Sequence, residues 1–186
     1  MDSLFEATQS DAFKGDLSFN DLRGCIGEYW HGNEPSHHVI YLYSLAGASW
    51  KAAERLHQVV STQYGSGPGS LCGNDDCGQM SAWYLFTCMG FYPMCPASDY
   101  YVIGAPQIKK AVMRLSNGKK ITMTAEDISD ANIYVRSLRV NGRDWNSPFL
   151  PFQEVRNGAT IAFVMGPQPS RWATSASDTA AFAGSK

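Results

Sequence analysis

The sequence predicts an α+β fold, with helices in the first half and an antiparallel β region in the second. Three observations carry this. Apolar residues recur at helical spacing in several stretches before residue 90. From Tyr100 onward the runs become β-branched and alternating. Asn117-Gly118, Asn141-Gly142 and Asn157-Gly158 punctuate that second half, and such dipeptides favour tight turns because both residues tolerate positive φ.

Asp2–Phe13 reads as a helix, since Leu4, Phe5, Ala7 and Ala12 follow an acidic start. Lys14–Tyr29, with two glycines and scattered apolar residues, reads as loop. Pro35 suits a first helical position and pushes Glu34 out of the helical region, so a buried helix is expected over Ser36–Leu45, closed by Gly47. Ser49 is the expected cap of a second helix, Trp50–Tyr64, with Ala53, Leu56, Val59 and Val60 inward and Lys51, Glu54 and Arg55 outward. Two antiparallel helices so closely joined are the repeat unit of bundles and toroids. Gly65–Gly73 is loop, and Gln79–Met89 is a third, mostly apolar helix ended by Gly90 and Pro93.

The expected strands are Tyr100–Ile103, Ala111–Leu115, Lys120–Thr124, Ile133–Val140 and Thr160–Met165. The resulting division is a helical part over 1–97, a β part over 98–172 with its boundary near Pro93–Asp99, and a mobile tail over 173–186 made of Ser, Ala, Thr and Gly.

A chain of 186 residues can bury an ordinary core as one large domain or two small ones. With 44% hydrophobic and 17% charged residues and a net charge of -2, the composition is that of a soluble globular protein, without a basic stripe for nucleic acid. There is no apolar run of about 18 residues to span a bilayer. Met1, followed by Asp2 and Glu6, does not read as a signal peptide. Aromatics at 12% suit a sugar-binding surface as well as an aromatic core. The five cysteines, Cys25, Cys72, Cys77, Cys88 and Cys95, show no C-x-x-C spacing, which argues against a zinc ribbon. Buried free thiols are the default expectation, and a Cys72–Cys77 bridge stays open.

Most groups able to do chemistry fall in two polar knots, His31–His38 (HGNEPSHH) and Gly73–Ser81 (GNDDCGQMS). A helical zinc motif needs two histidines one turn apart on one helix around a glutamate, and Pro35 removes that geometry. Glu34 is a candidate general acid. A helix start would lower its pKa, whereas burial beside Tyr29 and Trp30 would raise it, and sequence does not fix the sign. One of Asp75 and Asp76 is expected to cap the following helix, leaving the other for a cation, a hydroxyl or a water. Carboxylates on two loops are what glycoside hydrolysis requires, an acid on the leaving oxygen and a base on the opposite face. An aspartic-protease dyad would bring Asp-Thr-Gly turns, which are missing here.

HGNEPSHHVIYLYSLAG, Trp50-Lys51, LCGNDDCGQMSAWYLFTCMGFYP and YVIGAP closely resemble the C-terminal part of glycoside hydrolase family 92, a family of calcium-dependent, inverting exo-α-mannosidases. The resemblance runs from about Asp2 to Trp172. It implies the last helices of an (α/α)6 toroid followed by β structure, with Glu34 as general acid and Asp76 or Asp75 as general base, Asp76 being favoured. His31, Asn33, His37, His38, Asn74 and Gln79 are the expected substrate-binding groups. Ca2+ is the implied cofactor, with its ligands in this chain left open. A mannose-containing oligosaccharide or N-glycan is the implied substrate, α-1,2-linked by preference, and the full-length family is periplasmic or secreted. Family members are several times longer, so the chain is expected to be a portion that works only with the missing N-terminal region. The competing expectation is a non-catalytic helical plus β module with a glycan-binding or interaction role.

Overall fold

A computed structural model of the chain describes residues 1–7 and 24–175. Helix α1 is Asp2–Glu6, and the remainder of the helix expected to Phe13 lies outside the described residues. Strands β1 (Cys25–Ile26) and β2 (Tyr29–Trp30) form a small hairpin that delivers the chain to His31. Gly27, at its turn with φ +59, packs on α1 so tightly that a Cβ would lie 2.7 Å from the Leu4 carbonyl oxygen.

The single helix expected over Ser36–Leu45 is replaced by two 3-10 turns, Glu34–Ser36 and Val39–Tyr41, and the short helix α2, Leu42–Leu45. The cause is long-range. The indole N–H of Trp83 donates to the His37 carbonyl at 3.0 Å, taking the acceptor that an α-helix would offer to Tyr41. The Tyr41 N–H goes instead to the carbonyl of His38 at 3.1 Å, one residue nearer.

Helix α3 is Ser49–Gln63, preceded by Ala48 at the cap position. Ser49 is therefore not the cap: it is already helical, and its hydroxyl donates to the carbonyl of Ala173 at 3.3 Å. Ala52, Ala53, Leu56 and Val59 form the buried stripe, and Val60 lies at its margin, partly exposed. The outward residues are held: Lys51 pairs with Asp2, Arg55 lies 4.9 Å over the Phe5 ring, and Glu54 accepts the Tyr134 hydroxyl at 2.6 Å. Helix α4, Gln79–Cys88, follows Gly78, whose φ of +90 ends the preceding loop.

Three further strands, β3 (Phe91–Tyr92), β4 (Tyr100–Ile103) and β9 (Phe149–Pro151), make an antiparallel sheet in the order β3-β4-β9. The larger sheet holds β5 (Lys110–Arg114), β6 (Lys120–Glu126), β7 (Tyr134–Val140), β8 (Arg143–Asp144) and β10 (Ala159–Gly166) in the order β5-β6-β10-β7-β8. Its pairs are antiparallel except that β10 runs parallel to β6. That pair is reached through the long connection holding β7–β9 and helix α5, Phe152–Val155, as a parallel pair must be. Strict alternation along β6 buries Ile121, Met123 and Ala125 and exposes Thr124 and Glu126.

The buried side chains gather in two clusters. One joins Ile121, Met123, Leu138, Val140, Ile161 and Phe163 to Ala53, Met89 and Phe91 of the helical part. The other unites Phe5, Tyr29, Ile40, Tyr41, Leu56 and Trp83 with Val102 of β4. The tail expected from Ala173 does not start there, because Ala173 is buried and Trp172 donates its indole N–H to the Trp145 carbonyl at 2.7 Å. Residues 176–186 lie outside the described residues.

Candidate active site

The two polar knots cross at their backbones. A Cβ on Gly73 would stand 2.4 Å from the Gly32 carbonyl oxygen and 2.6 Å from its Cα, so only glycine permits the crossing. His31 and Asn74, the neighbours of these glycines, therefore start the two site loops from one point.

His31 is fully buried. Its Nδ1 lies 2.9 Å from the Tyr29 hydroxyl and its Nε2 2.7 Å from the Tyr64 hydroxyl, and its ring meets that of Trp83 edge-on at 4.2 Å. Burial, with a smaller contribution from His37, lowers its pKa to about 3, so the imidazole is neutral at working pH. His31 is expected from sequence to bind substrate; in this chain its ring is enclosed and both nitrogens are engaged by tyrosine hydroxyls.

Glu34 opens the first 3-10 turn, behind an extended Asn33 and before Pro35. Beyond it, His37 donates from Nε2 to the His31 carbonyl at 3.0 Å and presents Nδ1 to the Gln79 amide at 3.3 Å. Gln79 also donates to the Tyr92 hydroxyl at 3.1 Å. Burial lowers the His37 pKa as well.

The two aspartates divide their roles. Asp75 accepts the Ser81 backbone N–H at 2.8 Å through Oδ1 and the Ser81 hydroxyl at 3.0 Å through Oδ2, so it satisfies a first-turn donor of α4 although Gly78 holds the cap position. Asp76 is exposed, with φ +43, and begins a left-handed run through Cys77 (φ +57) and Gly78 (φ +90). That run turns its carboxyl toward Glu34. A hydrogen bond with Glu34 raises the Asp76 pKa, followed by desolvation and by the charges of Glu34 and Asp75. Glu34 is thus the neighbouring carboxyl that bears most on Asp76.

A cleft of about 430 Å³ opens beside Glu34. Glu34, His37, His38 and Gln79 supply its polar wall, while Phe86, Tyr92, Pro93 and Met94 supply an apolar one. Four of the sequence-predicted site residues share this cleft. Asn33, Asn74, Asp75 and Asp76 lie outside its lining, with Asn74 and Asp76 exposed. Sequence does not single out Tyr64, Trp83 or Tyr92, whose hydroxyl and indole groups serve partners 33, 46 and 13 residues away, a separation no local pattern marks.

Among the described residues there is no group of three or more His, Cys, Asp or Glu side chains able to hold a metal ion. Calcium takes about six to eight oxygens, and both oxygens of Asp75 are already engaged by Ser81. These residues do not fit a calcium shell on their own.

Known proteins share this arrangement of loops and strands. The family 92 α-mannosidase of Bacteroides thetaiotaomicron solved with mannoimidazole matches over 96% of this chain and 23% of its own, with 44% identity and a TM-score of 0.89. A family 92 inverting mannosidase of the same organism matches over 95% of this chain and 25% of its own, with 33% identity and a TM-score of 0.78. A curated relative, an uncharacterized secreted glycosidase of Arthroderma benhamiae, is 27% identical over 150 residues, 79% of this chain and 19% of that protein. The chain therefore spans about a fifth to a quarter of the length of these relatives. The model of the glycosyl hydrolase family 92 catalytic domain matches residues 1–167, and the chain belongs to that family.

Proposed function

We propose that this chain carries the general acid and general base of an inverting exo-α-mannosidase, with Glu34 as acid and Asp76 as base. What supports the reading is the crossing of the HGNEP and GNDD loops at Gly32 and Gly73, with Glu34 the neighbour that most raises the Asp76 pKa. Both oxygens of Asp75 are engaged by Ser81, which favours Asp76 as the base. Glu34 protonates the leaving oxygen, and Asp76 takes a proton from the water that attacks the anomeric carbon from the opposite face, inverting it. That chemistry requires the carboxyls to stand roughly 6.5–9.5 Å apart.

The substrate is the mannose end of an oligosaccharide or N-glycan, α-1,2-linked in the favoured reading, met outside the cytoplasm. Apolar walls of the Phe86 and Tyr92 kind suit the hydrophobic face of a sugar. The helices of this chain complete an (α/α)6 toroid whose other helices come from elsewhere, joined covalently or as a partner. Calcium belongs to this reading only with ligands from outside the chain, and no step above depends on it. The enclosure of His31, with both its nitrogens engaged, favours a second reading, a non-catalytic module that keeps the motifs as structure.

Hydrolysis of α-1,2-mannobiose and of an aryl α-mannoside, with calcium and with chelator, separates the two. It is measured on the chain alone and on a catalytic domain completed with the upstream region. Completed enzyme should lose on the order of 10²–10⁴-fold in kcat with Glu34→Gln and with Asp76→Asn. Unchanged rates for Glu34→Gln, or loss with Asp75→Asn but not Asp76→Asn, would overturn the assignments. No turnover in the completed wild type would leave the module reading.

A further inference from the structure

The Tyr64 hydroxyl lies 2.7 Å from His31 Nε2 and 3.2 Å from the Met80 carbonyl oxygen, and the Tyr29 hydroxyl lies 2.9 Å from His31 Nδ1. One arrangement of hydrogens satisfies all three contacts. A carbonyl only accepts, so Tyr64 donates to Met80 and its lone pair accepts from Nε2–H, while Nδ1 accepts from Tyr29. His31 opens the loop that carries Glu34, and Met80 lies in the first turn of α4, after the loop that carries Asp76. Tyr64 is thus bonded to both. Its ring stacks on Trp83 at 5.8 Å, and its backbone bridges to Leu71 on the approach to Gly73.

We infer that Tyr64 is a positioning residue whose hydroxyl ties the Glu34 loop and the Asp76 loop into one unit and so sets where their carboxyls stand relative to one another. The inference rests on the Glu34–Asp76 reading above. The hydroxyl touches neither carboxyl and acts through His31 and helix α4. The groups facing Asp76 are Glu34 and Asp75, and neither changes when Tyr64 loses its hydroxyl.

The test is a carbon-13 carboxyl NMR titration of the whole chain labelled at aspartate, with the Asp76 signal assigned by Asp76→Asn. In the wild type the Asp76 midpoint stands above that of an ordinary aspartate, and Glu34→Ala brings it down. Tyr64→Phe is expected to lower it by at least half of that shift, whereas Tyr43→Phe, which removes a hydroxyl bonded to Asp2, leaves it in place. A folded Tyr64→Phe chain with an unchanged midpoint, or an equal shift in Tyr43→Phe, overturns the positioning role alone. A midpoint indifferent to Glu34→Ala overturns the carboxyl pair, and the role of Tyr64 falls with it. Nitrogen-15 shifts of wild-type His31 give a second reading that needs no variant. Nε2–H supports the chain of bonds through Tyr64, and Nδ1–H breaks it.

Discussion

Gly73 rests on the backbone of Gly32 with no room for a side chain, since a Cβ there would meet the Gly32 carbonyl oxygen at 2.4 Å. The obstacle is main chain, not the movable end of a side chain. Gly73→Ala must therefore push the two loops apart, at a cost of about 1–3 kcal/mol for overpacking. Gly78→Ala is the comparison: nothing stands within 4 Å of its Cβ, and the strain comes from its φ of +90 alone, about 1 kcal/mol. Urea unfolding should rank Gly73→Ala as the more destabilised, and the reverse ranking would count against the crossing.

Asp75 and Ser81 yield a second expectation. Asp75→Ala removes an acceptor from a first-turn N–H and should lower stability by about 1 kcal/mol, while Asp75→Asn keeps one acceptor oxygen and loses less. Ser81→Ala breaks only the hydroxyl contact, so it should fall between wild type and Asp75→Ala in denaturant midpoint. A chain indifferent to Asp75→Ala would show that this contact holds nothing.

The thiols offer a test of the described surfaces. None of the five cysteines is in a disulfide, which leaves the Cys72–Cys77 bridge unformed, and Cys77 and Cys95 are exposed where burial is the default expectation. Maleimide at neutral pH should modify Cys77 and Cys95 first. Cys88 is enclosed, and burial together with the nearby Cys25 pushes Cys72 up to about 11, so both should react slowly until the chain unfolds. Mass mapping of the labelled peptides decides the order.

What sequence could reveal follows the range of each interaction. Helix α4 and strand β4 were legible because helical spacing and β-branched runs are local. The break of the helix after Pro35 was not, since it depends on the Trp83 indole reaching back to His37. Likewise nothing local announces that β10 inserts between β6 and β7. The same limit explains the site. The polar density of HGNEPSHH marked a cluster of functional groups, but it could not say that His31 turns inward while His38 stays exposed. The family pattern favours Asp76 over Asp75, and the independent engagement of Asp75 comes from Ser81, six residues along the chain.

The buried histidines give the chain a defined response to acid. Burial is the main cause that lowers both His31, to about 3, and His37, whereas an unfolded chain protonates histidine near pH 6.5. Below that value the unfolded state binds more protons than the folded one, so stability is lost as pH falls from about 6.5 toward 3. His31 alone sets a loss on the order of 4 kcal/mol across that window. Asp76 works in the opposite direction, and only around the carboxylate range, because its raised pKa lets the folded state hold a proton that the unfolded state releases. Urea midpoints should therefore be level from pH 8 to 7 and fall steeply between 6 and 4. His31→Gln cannot take up a proton, so its stability, already lower at pH 8 by about 1–3 kcal/mol for the disturbed buried network, should fall less steeply. Parallel curves for wild type and His31→Gln would show that His31 is protonated as easily in the folded chain as in the unfolded one.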